Sequence, residues 1–166
     1  KMEVSGNKMM IDSVFTQNCA EMFSSLTHLL PAIIAIFMIY KLIKKGLGHG
    51  GRITALAIYS FSVIFLLVIS GSYHALQTGS YARIVLQRID HAAIWVLVAG
   101  SFTAIHGLLF RGPLRWGIIL SVWIIAILGI TFKTIFFDQI SYYMSIAFYL
   151  AMGWLALPCV ILLVRQ

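Results

Sequence analysis

The sequence predicts an all-α protein, a polytopic bundle of transmembrane helices forming a single domain over residues 1–166. Three observations carry this. First, 61% of the 166 residues are hydrophobic and only 10% are charged, whereas a soluble domain has about 45–50% apolar and about 25% charged residues. The excess is larger than one buried core absorbs and is the amount needed to face lipid. Second, the apolar residues gather in five runs, each about 18–24 residues long, which matches a hydrocarbon core about 30 Å thick. Third, the runs are joined by short polar connections, so neighbouring helices must lie antiparallel and in contact.

The chain begins with some 20 residues polar enough to sit in water or at an interface. The first span runs from about Leu26 to Ile43 and carries Pro31 inside it. A Gly-rich, cationic turn, Lys44 to Arg52, leads to a second span from about Ile53 to Leu76. A polar loop from Gln77 to Gln87 precedes a third span from about Asp90 to Phe110. Arg111-Gly112 is a very tight connection to a fourth span, Pro113 to Phe132, whose proline stands in the first turn, where a missing N–H costs little. After Lys133 to Ser141 a fifth span runs from about Tyr142 to Val164, with Pro158 as a possible kink. No internal repeat, low-complexity tract or signal peptide is visible.

The net charge is +7. Scattered between apolar runs, the cations make no dense patch, so no nucleic-acid partner is expected. They read as anchors of helix ends at lipid headgroups. Lys41, Lys44, Lys45, Arg52, Arg111, Arg115 and Arg165 fall on one side of the membrane, and Lys1, Lys8, Arg83, Arg88 and Lys133 on the other. This bias weakly favours an N-terminus outside the cytoplasm. All five acids, Glu3, Asp12, Glu21, Asp90 and Asp138, share the second side. Cys19 and Cys159 are far apart and form no metal or redox motif.

Ionisable residues near membrane depth are costly and usually mark function. Glu21, Ser24 and His28 fall within roughly 60° of one another on a helix and form a polar stripe at the entry of the first span. Ser70 and His74 are one turn apart at the end of the second span. Asp90 stands at the mouth of the third. Connectivity brings all six to one membrane face. Each has a plainer reading. Glu21 and Asp90 can be helix caps, and His74 can be a hydrogen-bonded structural residue. His49 reads as solvated, and His106 as a partner in a helix–helix hydrogen bond. Tyr142, Tyr143 and the tryptophans read as interface or packing residues. A carboxylate, a serine and a histidine at one depth also suit a metal site with an activated water, because zinc takes imidazole nitrogen and carboxylate oxygen and keeps a position open when catalytic. One imidazole alone does not make such a site.

At these residues the sequence resembles the hemolysin III family, the bacterial branch of the progestin and adipoQ receptor family. The matching segments are Glu21-x-x-Ser24-x-x-x-His28, Ser70-x-x-x-His74 within SGSYHAL, and RIDHAAIWVLVAGSFT from Arg88; YLAMGWLAL from Tyr149 is similar to the family's fifth span. The family is similar to alkaline ceramidases in its polar core. The resemblance implies a seven-helix fold in the bacterial inner membrane with a zinc ion near one face. His74 would be a zinc ligand, and Asp90 and Ser70 the catalytic candidates, with Asp90 holding a water and Ser70 supporting the site. Glu21, Ser24 and His28 would act behind them. The family's other two ligands are a His pair on the seventh helix, and no His follows here before Gln166. The chain is therefore read as part of a longer protein, its zinc site incomplete or completed by a substitute such as His28. The resemblance also puts the N-terminus inside, against the cation count.

Three function classes follow. The first is zinc-dependent hydrolysis of a membrane lipid amide or ester. The second is a receptor or membrane-state sensor with structural zinc and no turnover. The third is a pore-forming cytolysin, which nearly uniformly apolar spans serve poorly. Membrane lipids are the expected partners of all three.

Overall fold

The computed structural model describes residues 2–158 and residue 161, with side chains from residue 14 onward. It contains α1 (Met2–Gly46), α2 (Gly50–Ala75), α3 (Tyr81–Leu109), α4 (Pro113–Ile135) and α5 (Tyr142–Trp154). Four of them hold stretches long and apolar enough to cross a membrane: Val14–Gly46, Gly50–Ala75, Tyr81–Leu109 and Pro113–Ile135. Their outward residues, such as Phe23, Ile33, Phe37, Leu120 and Leu128, are exposed. Exposed apolar surface of this extent is what a lipid-facing exterior requires.

Helix α3 is the axis of the bundle. It packs on α2 and α4 and touches α5, while α1 packs on the far side of α2. The core joins Trp95, Ala99 and Phe102 of α3 to Val122 and Ala126 of α4 and Met152 of α5. Elsewhere the helices approach through small residues, as lipid-embedded bundles do. A Cβ on Gly100 would come within 2.3 Å of the Ser62 hydroxyl and 2.9 Å of its Cβ, which fixes the α2–α3 spacing. A Cβ on Gly71 would lie 2.6 Å from Leu29, and one on Gly129 would lie 2.5 Å from the Trp95 ring.

Two expectations are corrected. The polar loop expected over 77–87 is much shorter, because α3 begins at Tyr81. Ser80 caps it, its hydroxyl accepting the Arg83 N–H at 3.3 Å, and the residues that follow, Ala82, Leu86, Gln87 and Arg88, are good helix formers. Polarity in that stretch marks one side of a helix, not a break. Neither Glu21 nor Asp90 is a helix cap: both lie well inside α1 and α3. Of the fifth span expected over Tyr142–Val164, α5 covers Tyr142–Trp154, and past Leu155 the backbone is again helical at 156–158 and at 161. The chain turns at Leu155, whose N–H bonds back to Met152 at 3.3 Å. Pro158, with no N–H, cannot bond the carbonyl four residues earlier. Much of the remainder of that span, including Cys159 and Val164, lies outside the described residues.

Candidate functional site

The end of the bundle where α2 turns into α3 gathers the polar residues. Glu21 reaches in from α1 and spends both carboxylate oxygens. Its Oε2 lies 2.7 Å from His74 Nδ1 in the last turn of α2. Its Oε1 lies 2.7 Å from Arg83 Nη2 in the first turn of α3. Arg83 also donates from Nη1 to the Leu76 carbonyl at 2.7 Å, satisfying the residue that ends α2, and its guanidinium covers the Tyr73 ring at 4.6 Å. One carboxylate thus ties three helices together. Charge-assisted contacts this short are the strong kind, and Arg adds a fixed fork. Arg83 is buried, while the His74 and Glu21 side chains keep 24% and 23% of their surface accessible, so the pair can be reached.

The contact sets the tautomer of His74. A carboxylate at Nδ1 calls for the proton there, which leaves Nε2 with its lone pair available to accept a hydrogen bond or bind a metal. The His28 ring stacks on His74 with centroids 5.9 Å apart and planes 10° apart. Ser70 is buried one turn before His74. Ser24 is partly buried, and its carbonyl accepts from Thr27 at 2.8 Å. It is the neighbour, Ser25, that crosses to α2, donating to the Gly71 carbonyl at 2.9 Å beside the close approach of Gly71 and Leu29.

Asp90 sits apart from this cluster. It follows Arg83 by seven residues, so it shares a helix face with Arg83 to within about 20° and lies about 10 Å farther along α3. The adjoining residue meets α5, where the Tyr149 hydroxyl donates to the His91 carbonyl at 3.3 Å. The structure therefore brings Glu21, His28 and His74 together, with Ser70 one turn along. It does not close them into a metal cage: among the described residues no three His, Cys, Asp or Glu groups are placed to hold one ion.

The chain matches the haemolysin-III related family model over residues 16–166. The chain belongs to the haemolysin III-related family. It is 32% identical over 142 residues to Hemolysin-3 of Bacillus cereus, covering 84% of this chain and 64% of that protein. It is equally identical over 142 residues to the Hemolysin-3 homolog of Bacillus subtilis (strain 168), covering 84% of this chain and 66% of that one. The chain thus spans a little less than two thirds of the length of these relatives. No solved structure matches it. The fold and the family agree that this haemolysin III-related chain is an integral membrane protein.

Several residues at the same end escape sequence reasoning. Arg83 counted there only as a loop cation; its seven-residue spacing from Asp90 was the available signal. Lys133, near the end of α4, is buried and donates to Ser145 of α5 at 2.8 Å. Its ammonium lies 4.7 Å from the centre of the Phe137 ring, which Arg88 also covers at 5.3 Å. Arg88 in turn meets Asp138 at 3.4 Å. At the other end of the bundle, His106 makes no bond between helices among the described residues, contrary to expectation. Its Nδ1 pairs with the Phe102 carbonyl of its own helix at 2.9 Å. It lies between the rings of Phe102 and Phe110, and its buried Nε2 has no partner among the described residues. His49 is exposed, as expected, at the start of α2.

Proposed function

We propose that this haemolysin III-related chain forms part of a zinc-dependent hydrolase of membrane lipid amides or esters, in a seven-helix fold whose fifth span includes α5. The contact between Glu21 and His74 carries this reading. Metal-binding histidines almost always give their second ring N–H to a carboxylate, which fixes the ring and raises its basicity. His74 is prepared in that way, with Nε2 left over. The residues present fit one corner of a zinc site and not a whole one, so the remaining ligands would come from the part of the full-length protein that this chain does not span. Zinc held there would supply Lewis acidity at a carbonyl.

The chain's own residues have separable tasks. Glu21 holds the His74 proton at Nδ1. Arg83 keeps Glu21 ionised and aimed. Asp90, deeper on the Arg83 side of α3, is the group to orient a water and take its proton. Ser70 supports the site one turn from His74. The apolar helix exteriors let a lipid approach from the bilayer while bulk water stays out. The working location is a bacterial cell membrane. In the full-length protein, turnover of lipid amides or esters should vanish in His74→Ala and in Asp90→Ala. Turnover that survives both substitutions rules the reading out.

A second reading draws on Arg83. A carboxylate that locks three helices is also what a sensor needs, since helix motion must break it. In that case purified protein binds zinc and lipid and forms no product on long incubation. The relatives' name, hemolysin, points to a pore. Ion flux through liposomes holding the purified protein would favour that class over both others.

A further inference from the structure

The opposite end of the bundle holds a second feature that the hydrolase reading does not use. Helices α2 and α4 both pack on α3, and the three line a cleft of about 200 Å³. Its floor is Thr103 and Gly107 of α3. Gly107 cannot carry a side chain there, since a Cβ would meet Ala55 at 2.8 Å. Ile58 and Ile119 give apolar walls, and Trp123 closes one side with its indole N–H on the Thr103 hydroxyl at 2.9 Å. At the mouth stand Arg115 and Trp116 in the first turn of α4, the guanidinium 4.7 Å over the indole.

Arg115 is the informative residue. Its Nε is buried and has no hydrogen-bond partner among the described residues, and no described carboxylate pairs with it. A buried, unanswered guanidinium N–H is expensive and calls for an acceptor. Among the described residues no carboxylate stands at this end: Lys44, Lys45, Arg52 and Arg111 flank it, whereas Glu21, Asp90 and Asp138 all belong to the other. A ligand that completes this cleft must bring an anionic oxygen for Arg115 and an apolar tail for the walls, and must arrive from the bilayer.

We propose that this cleft binds one anionic phospholipid, its phosphate on Arg115 at the level of Trp116 and an acyl chain running between α2 and α4 over Gly107 and Thr103. A tryptophan at the headgroup level and cations around the phosphate are the usual physical means of holding such a lipid. The site is distinct from the Glu21–His74 cluster and stands whether or not that cluster is catalytic.

The test uses the full-length protein in nanodiscs of equimolar phosphatidylglycerol and phosphatidylcholine, with the lipid retained after detergent extraction counted by mass spectrometry. One phosphatidylglycerol per chain should be retained in preference to phosphatidylcholine. Arg115→Gln should lower that preference about tenfold, the loss of one charged hydrogen-bonding group. Lys45→Gln removes the same charge from the same end but outside the cleft and should change it by less than about twofold. Ile119→Trp, which fills the cleft and leaves every cation, should displace the lipid with the helical circular dichroism unchanged. Equal retention of the two lipids, no retained lipid, or equal losses in Arg115→Gln and Lys45→Gln would each overturn the proposal.

Discussion

At the end where α2 turns into α3, Glu21 is gripped by His74 and Arg83, and Asp138 meets Arg88. At the end where α1 turns into α2, the cations meet rings: Lys41 lies over Phe37, Lys44 over Tyr40 and Arg115 over Trp116, each within 5 Å of the ring centre. The same residue type therefore has two physical uses in one molecule. Arg83 also covers the Tyr73 ring, but its charge is answered by the partly buried Glu21, and it orders the helices it joins. Arg115 rests on an aromatic face with no described carboxylate beside it, and in the lipid proposal its charge is met from outside the chain.

The strongest way to break this comparison is a matched pair of substitutions. Arg83→Gln strands Glu21 beside His74 and frees the Leu76 carbonyl; it should destabilise the protein by about 3 kcal/mol, as loss of one partner of a buried ion pair does. Arg115→Gln should shift thermal unfolding in detergent hardly at all. Equal losses would mean that the two ends are not different. Next in size is a packing control. Gly100→Val drives a side chain into Ser62 and should cost about 2 kcal/mol by overpacking, whatever the charge at either end. Lys133 sharpens the rule further, because it is buried with a hydroxyl for its partner and not a carboxylate. Ser145→Ala should cost about 1–2 kcal/mol by leaving the ammonium unanswered. Lys133→Met should be neutral or stabilising, because an apolar chain of similar length removes the charge altogether. The smallest effect is expected for Asp138→Asn, within about 0.5 kcal/mol, since Asp138 is exposed and its contact with Arg88 is long.

How far the sequence could be read depended on the kind of signal. Run length and composition suffice for four spans, because the bilayer demands them wherever the rest of the chain goes. They fail at the ends. Arg83 and Gln87 look like loop because they are polar, yet Ser80 and its cap start a helix there. In the fifth span the helix is interrupted locally, by the turn at Leu155 ahead of Pro158. In the site, the one-turn spacing of Ser70 and His74 and the stripe on α1 were enough to bring Glu21, His28 and His74 to one end. That Glu21 bonds His74 directly, and that Arg83 takes its other oxygen, depends on how α1 and α3 rotate against α2. That rotation is set by contacts between helices, Leu29 against Gly71 and Ser62 against Gly100, which no single helix encodes. Ser25 shows the limit of periodicity alone: one residue from the predicted Ser24, it is the serine that reaches the next helix.

The central claim is that Glu21 and Arg83 prepare His74 Nε2 for a metal. Its most direct test is the zinc content and affinity of the full-length protein beside Glu21→Gln and His74→Ala. The account predicts one tightly held zinc per chain, an affinity weaker by about 10–100-fold in Glu21→Gln, and zinc lost on gentle dialysis from His74→Ala. Stoichiometric zinc that stays in His74→Ala with undiminished affinity would contradict it.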